Sequence, residues 1–179
     1  MTQTLTAPAA ARKVPAFILI ALVGAALLTL SAQFKVPFYP VPMTLQTLVV
    51  LALPLFFGWR GAASVGAYLA AGAAGLPVFA AGGGIGYFFG PTGGFLPGFL
   101  LAAGFVAMFM GGGGGKPLWR PLAVLLVADA LLFLSGVIWL AQFVGFDAAV
   151  KGGFLQFALG DLLKVIVVAT AYHLWRRRG

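Results

Sequence analysis

The chain has 179 residues, of which 62% are hydrophobic and only 8% charged, and its mean hydropathy is +1.08. Soluble domains carry about a quarter charged and about 45–50% apolar residues, so this composition excludes a soluble protein and predicts an integral membrane protein. Cysteine is absent and His173 is the only histidine, which excludes disulfides, thiol catalysis and zinc sites built from several histidines. The net charge is +8, but in a membrane protein its distribution matters more than its sum, and we expect no nucleic-acid partner.

Six apolar segments predict an all-α membrane protein with six transmembrane helices. Residues 1–14 are expected to form a flexible cytoplasmic N-terminus, residues 15–175 the membrane domain and residues 176–179 a basic cytoplasmic tail. The first apolar run lacks a persuasive cleavage site, so we interpret it as a retained span and not as a signal peptide. The six segments are Pro15–Ser31, Met43–Phe57, Gly61–Leu76, Phe95–Met110, Leu118–Leu140 and Phe154–Trp175.

Three of these segments are shorter than the about 17–25 residues that a helix needs to cross a bilayer core. Their ends must therefore extend into the flanking loops, or the helices stop early beneath a structured loop.

The basic residues predict the orientation of the bundle. Eight of the eleven would share one face, and they are Arg12, Lys13, Arg60, Lys116, Arg120 and Arg176–Arg178. The opposite loops hold only Lys35 and Lys151. Because cytoplasmic loops are enriched in Lys and Arg, both termini are predicted to be cytoplasmic, in a bacterial cytoplasmic membrane. The basic connection Gly111–Lys116 is a glycine tract that is expected to be flexible.

Two predicted outer loops differ from the short cytoplasmic connections. The loop Gln33–Thr47 contains Pro37, Pro40 and Pro42, which exclude a helix there. The loop Leu76–Phe95 is rich in glycine and aromatic residues. Irregular backbone near a membrane is tolerated only where it packs on protein or lines a cavity. The two loops therefore predict a lidded pocket that opens outward.

Small residues at helical spacing occur in the first helix, as Ala21-xxx-Ala25. Such spacing lets helix backbones approach closely. Two interpretations stay open: ordinary packing within the bundle, or a docking face for another membrane subunit.

Asp161 and Lys164 lie within the last apolar segment, and their spacing of three places them on one face of a helix. Each charge costs about 2.5–3.5 kcal/mol near the centre of a membrane helix, so the default inference is a polar cavity with a function. The alternatives are a pair that only fixes helix packing, and a proton or ion relay. Asp129 is the only other intramembrane acid, and it could pair with Lys164 or take part in such a relay.

Thr44, Gln46 and Thr47 lie where the second helix is predicted to begin. Thr44 could cap the helix or contact a ligand. Gln46 is the better candidate for the pocket, because a buried amide needs partners. Thr44 and Gln46 do not share a helical face, so at most part of this trio is expected to point inward.

The glycine-rich stretch "AAGGGIGYFFGPTGG" does not match a phosphate-binding loop, and no Lys or Arg lies near it. We interpret it as a flexible loop whose aromatic residues, including Phe79 and Tyr87, close over an apolar ligand. An interfacial aromatic belt would explain some of these residues but not the glycines. The chain also lacks Ser–His pairs and carboxylate clusters, so neither enzymatic activity nor a cofactor is expected.

The stretches "VPFYPVPMTLQTL", "GLPVFAAGGG", "GPTGGF" and "GDLLK" together resemble the BioY family. Its members are the biotin-binding S components of energy-coupling-factor (ECF) vitamin transporters. The resemblance covers nearly all of the chain and implies an S-component-like bundle. It implies that biotin is bound from outside, beneath the loops that join helices 1–2 and 3–4. It further implies a membrane T component and two cytoplasmic ATPase subunits as partners, or a homo-oligomer if the chain acts alone.

The resemblance also implies site residues. The family's Asp and Lys of the last helix correspond to Asp161 and Lys164, and its Thr and Gln at the entrance of helix 2 correspond to Thr44 and Gln46. Where the family often offers a polar side chain, this chain has Gly83–Gly84, whose backbone groups could substitute. The leading hypothesis is thus a biotin-capturing transport component. The alternative is an ion- or proton-coupled carrier that uses Asp129, Asp161 and Lys164, and a purely structural subunit is a third hypothesis.

Overall fold

A computed structural model describes residues 9–110 and 117–178, with side chains from residue 16 to 177 within these ranges. Most of the described chain is helical. The helices are α1 (Ala9–Gln33), α2 (Gln46–Phe57), α3 (Trp59–Ala73), α4 (Phe95–Met110), α5 (Trp119–Val144), α6 (Phe146–Val150) and α7 (Gln156–Arg178). Residues 1–8, the glycine tract 111–116 and Gly179 lie outside the described residues, so the flexible terminus and the flexible connection stay predictions.

Short elements join the helices. A two-stranded antiparallel hairpin, β1 (Lys35–Val36) and β2 (Met43–Thr44), connects α1 to α2. A 3₁₀ turn, Ile85–Phe89, lies in the long connection between α3 and α4, and a π-helical turn, Lys151–Leu155, joins α6 directly to α7. The predicted absence of helix between α1 and α2 is confirmed.

Within the part of the chain that the structure describes, three stretches are long and apolar enough to cross a membrane, namely Ala16–Gln33, Trp119–Val144 and Phe146–Arg177. Two shorter apolar helices are Gln46–Phe57 and Phe95–Met110. At 1.5 Å per residue, α2 is about 18 Å long and does not cross a ~30 Å hydrocarbon layer unaided. The count of six spans and the cytoplasmic position of both termini stay predictions.

Helix boundaries differ from the predicted ones where tertiary contacts intervene. The predicted bounds of α4 are confirmed. α2 begins at Gln46 and not at Met43, because Met43 and Thr44 pair with β1. α3 ends before Leu76, since Gly75 adopts a φ of +101° that does not continue a helix. The last helical stretch begins at Phe146, eight residues before the predicted start at Phe154.

The short helix α2 lies at the centre of the bundle, where it contacts α1, α3, α4, α5 and α7. Helices pack closely where a glycine faces its neighbour. A Cβ on Gly24 of α1 would overlap Ser64 of α3, whose hydroxyl donates to the carbonyl oxygen of Ile20 at 3.0 Å. Ala25 packs against the core and Ala21 is half-buried, which is compatible with internal packing. The docking role of Ala21 and Ala25 stays a prediction.

Candidate ligand-binding site

A cavity of about 60 Å³ lies between the N-terminal end of α2, the helices α4, α5 and α7, and the two long loops. Its walls are mostly apolar and include five phenylalanines: Phe79, Phe95, Phe99, Phe133 and Phe157. The polar side chains in its lining are Thr44, Gln46, Thr47, Tyr68, Tyr87, Thr92, Asp161 and Lys164. An apolar wall with a few converging polar groups is typical of small-molecule sites.

Asp161 and Lys164 form a buried ion pair on α7. Lys164 Nζ lies 2.9 Å from Asp161 Oδ1, and the two residues are 7% and 2% exposed. The predicted common helix face is confirmed. Lys164 Nζ also donates to Thr47 Oγ1 at 2.9 Å, and the Thr47 hydroxyl donates to Asp161 Oδ1. We name Asp161, Lys164 and Thr47 the charged cluster.

The Lys164 ammonium has a third partner, the carbonyl oxygen of Thr44 in β2, at 2.7 Å. An ammonium group has three N–H donors, so all three are used. Charges taken out of water are costly unless they are paired and hydrogen-bonded, and the Lys164 ammonium meets that requirement with all three donors. It also ties the hairpin between α1 and α2 to α7.

A second group of polar side chains runs across the cavity wall without any charge. The Thr44 hydroxyl donates to Gln46 Oε1 at 3.1 Å and accepts from the backbone N–H of Gln46 at 3.3 Å. Gln46 Nε2 donates to the Tyr68 hydroxyl at 2.6 Å, and that hydroxyl donates to the carbonyl oxygen of Val78 at 3.2 Å. We name Thr44, Gln46 and Tyr68 the neutral chain. Thr44 thus hydrogen-bonds at the start of α2 and also lines the cavity, and its contact with a ligand stays a prediction.

The loop between α3 and α4 supplies the aromatic part of the wall. Phe79 is buried, and its ring centroid lies 5.4 Å from that of Tyr68 and 4.8 Å from that of Tyr87. Gly83 and Gly84 are not among the described residues that line the cavity. The Gly84 amide donates to the carbonyl oxygen of Gly72 in α3 at 2.7 Å. Gly83 faces the Leu76 carbonyl group with no space for a Cβ. Gly84 thus holds the loop against α3, Gly83 packs on Leu76 of the same loop, and the contact of either glycine with a ligand stays a prediction.

A second, more open cavity of about 420 Å³ is lined by the end of α1, by β1 and by β2. Met43, Thr44 and Lys164 line both cavities. β2 and the Lys164 side chain therefore border both spaces.

Two site residues were missed as ligand-contact candidates. Thr47 was named only as part of a trio, although its spacing of three from Thr44 could have indicated that both side chains point inward. Tyr68 carried no sequence signal, because its partner Gln46 comes from another helix.

Asp129 of α5 is half-buried and is not among the described residues that line the cavity. Its Oδ1 atom is buried and has no hydrogen-bond partner among the described residues. It is close enough to interact electrostatically with Asp161 and Lys164. Within the described part of the chain, no group of three or more His, Cys, Asp or Glu side chains could hold a metal ion.

Comparisons with known proteins match this architecture. The sequence model of the BioY family matches residues 1–179. The chain is 40% identical over 141 residues to the "Probable biotin transporter BioY" of Pyrococcus horikoshii, covering 78% of this chain and 83% of the relative. It is 36% identical over 147 residues to the "Biotin transporter BioY" of Thermotoga maritima, covering 80% of this chain and 86% of the relative.

The fold is similar to a crystal structure of the S-component for biotin from an ECF-type ABC transporter. The TM-score is 0.80 at 24% sequence identity, and the alignment covers 100% of this chain and 96% of the other. This likeness shows that the chain has the same fold.

Proposed function

Since the chain belongs to the BioY family, and is thus an integral membrane protein of a transporter family and not an enzyme, we propose that it captures biotin for uptake in an outward-facing pocket. The observation that carries this proposal is the charged cluster. A buried Asp–Lys pair, whose ammonium uses all three of its donors, stands at the wall of a mostly apolar cavity. Ionisable residues inside membrane helices are costly, and their presence is a default indication of a functional site.

The cavity chemistry matches the parts of biotin. Biotin has a cyclic urea, a thioether ring, an aliphatic chain and a carboxylate. Asp161 accepts hydrogen bonds from urea N–H groups, and Lys164 donates to an oxygen of the urea or of the carboxylate. The phenylalanine-rich wall takes the ring and the chain. Hydrogen bonds to charged groups contribute about 1.5–3 kcal/mol each, so this pair can dominate selectivity.

Binding requires the site to rearrange, for two reasons. The cavity of about 60 Å³ is far smaller than the about 300–1,000 Å³ of typical ligand sites. Lys164 also has no free donor, so a ligand oxygen must replace one of its three acceptors. We infer that it replaces the Thr44 carbonyl oxygen, because the Asp161 contact is charge-assisted and Thr47 is held by Asp161 as well. Movement of β2 toward the second cavity would then supply the missing volume.

The direct test is equilibrium binding of biotin to the purified chain, without partner subunits. Asp161→Asn and Lys164→Ala should each weaken binding at least tenfold while the protein still folds and inserts. Lys151→Ala is a matched control, because Lys151 is exposed on the π-helical turn. Thermal unfolding in the same detergent reports whether each variant is folded. If both site variants bind like the wild-type chain, the assignment of the site is wrong.

The partners form a separate part of the proposal. We infer that the chain works as an S component with a membrane T component and two ATPase subunits, or as a homo-oligomer if it acts alone. The likeness of the fold to an ECF-type S component supports the first arrangement.

A second candidate function is supported by Asp129. A buried carboxylate oxygen without a partner, close to an ion pair, is what a proton- or ion-coupled carrier would use. In proteoliposomes without ATPase subunits, this candidate predicts biotin uptake that depends on a proton or ion gradient and is lost in Asp129→Asn. Biotin uptake that does not depend on a gradient, or full uptake by Asp129→Asn, would exclude Asp129 as a coupling residue.

A further inference from the structure

Three of the four tryptophans in the chain are followed directly by an arginine. Each of these Trp–Arg pairs lies at the end of a long or central helix. Trp59–Arg60 lies at the junction of α2 and α3, Trp119–Arg120 begins α5, and Trp175–Arg176 lies near the end of α7.

Ring contacts bring the pairs Trp59–Arg60 and Trp175–Arg176 to the same end of the bundle. The ring of Phe56, at the end of α2, lies 5.4 Å from that of Trp175 and 5.5 Å from that of Tyr172. The end of α7 is therefore adjacent to the α2–α3 junction that carries Trp59 and Arg60.

The third pair lies at the same end because α5 and α7 run antiparallel. A Cβ on Gly153 would meet Leu140, and the ring of Phe157 lies 6.2 Å from that of Phe133. From Gly153 to Phe157 the chain advances, while the contacted residue on α5 moves back from Leu140 to Phe133. The two helices therefore run in opposite directions, and the start of α5 lies beside the end of α7. We name this the basic end, and its described members are Trp59, Arg60, Trp119, Arg120, Trp175, Arg176 and Arg177.

The polar side-chain groups of the basic end form no hydrogen bond or ion pair with any described residue. The three indoles are 59%, 67% and 53% exposed, and none of their N–H groups donates a hydrogen bond within the described chain. Trp139, at the other end, contrasts with them, because its indole N–H donates to the carbonyl oxygen of Gly90 at 2.9 Å.

No acidic side chain forms an ion pair with these arginines within the described residues. The chain's acidic side chains are Asp129, Asp147 and Asp161. Asp161 belongs to the charged cluster, Asp129 lies close to it, and Asp147 lies on α6 at the opposite end. Arg176 packs over the rings of Tyr172 and Trp175, which orients its guanidinium but does not neutralise it. No acidic side chain of the chain therefore neutralises this surface.

We propose that the basic end binds the phosphate groups of anionic phospholipids, with lipid contacts at each of the three Trp–Arg pairs. Arginine presents a planar fork of donors that matches phosphate oxygens, and tryptophan prefers the level of the lipid headgroups. Free phosphate would not use the three exposed indoles. The charges are also distributed over three helix ends and not gathered in one pocket, which fits a layer of headgroups better than a single small anion. The ligand of the cavity plays no part in this inference.

The test measures the binding of phosphatidylglycerol to the purified full chain in neutral detergent by native mass spectrometry. Phosphatidylcholine, which has no net charge, is the comparison. An arginine near an anionic lipid surface should strengthen binding about fivefold. Arg120→Gln should therefore weaken phosphatidylglycerol binding about fivefold, and the combination with Arg60→Gln should weaken it further. Lys151→Gln removes the same charge at the opposite end and should change binding less than twofold.

Four results would overturn the proposal. They are equal loss in Lys151→Gln and Arg120→Gln, equal binding of the two lipids by the wild-type chain, displacement of the lipid by soluble glycerol phosphate, and unchanged lipid binding in the double arginine variant. If that variant instead loses only its association with other membrane subunits, the basic end is a protein interface and the proposal fails. Unchanged biotin binding and unfolding temperature in each variant show that the fold is intact.

Discussion

The charged cluster and the neutral chain line the same small cavity, but they are held in different ways. In the charged cluster each member contacts the other two, and a backbone carbonyl from β2 completes the shell around Lys164. In the neutral chain each member contacts only the next one, from β2 through α2 to α3. A closed set of charges is sensitive to the loss of any member, because the remaining charge stays buried. An open chain of neutral groups also loses hydrogen bonds when a member is removed, but it leaves no charge buried without its partner.

The largest effect is expected from breaking the ion pair from one side. Lys164→Met leaves the Asp161 carboxylate buried with Thr47 alone, and removal of one partner of a buried pair costs about 3–5 kcal/mol. Because native proteins have about 5–15 kcal/mol of stability, the variant should remain folded with a clearly lower free energy of unfolding. Chemical denaturation in detergent measures this loss.

The double variant Asp161→Leu/Lys164→Met is the matched comparison. Replacement of a buried pair by apolar residues is often neutral or stabilising, so stability should return while biotin binding stays lost. A Lys164→Met variant no less stable than the exposed-site control Lys151→Met would contradict the view that the cluster is closed.

A smaller effect is expected from the hydroxyl at the centre of the cluster. Thr47→Val keeps the shape but removes a group that accepts from Lys164 and donates to Asp161. Hydrogen bonds to charged groups contribute about 1.5–3 kcal/mol, so biotin affinity should fall about tenfold or more. Isothermal titration measures this change. Thr170→Val is the control, since Thr170 is exposed on the same helix as the ion pair. Equal affinities of the two variants would place Thr47 outside the working cluster.

Part of this contrast could be predicted from sequence. Asp161 and Lys164 were predictable because their spacing on one helix is a local property and charges in an apolar segment are conspicuous. Tyr68 was not, because its contact with Gln46 spans 22 positions and depends on how α3 packs against α2. Local spacing therefore indicated most of the charged cluster and only part of the neutral chain.

The same limit applies to the fold. The bounds of α4 were predicted from an apolar run without any charged residue, which has glycine-rich stretches on both sides. The helical stretch before Phe154 was missed, since Gly152 and Gly153 indicate a loop when considered alone. In the structure Gly152 packs against Pro40 and Gly153 against Leu140, which are contacts that only small residues allow. These contacts come from distant parts of the chain, so no local pattern could indicate them.

The smallest effect is expected from opening the neutral chain at Tyr68. Tyr68→Phe keeps the ring against Phe79 but removes the hydroxyl that accepts from Gln46 Nε2 and donates to Val78. Two neutral hydrogen bonds of about 0.5–1.5 kcal/mol each are lost, against two bonds to charged groups of about 1.5–3 kcal/mol each in Thr47→Val, so biotin affinity should fall less than in Thr47→Val. Tyr39→Phe is the control, because Tyr39 is 86% exposed. Titration of Tyr68→Phe, Tyr39→Phe and Thr47→Val with biotin shows directly whether the neutral chain or the charged cluster contributes more to affinity. A loss in Tyr68→Phe as large as in Thr47→Val would show that the neutral chain supports ligand binding as strongly as the charged cluster does.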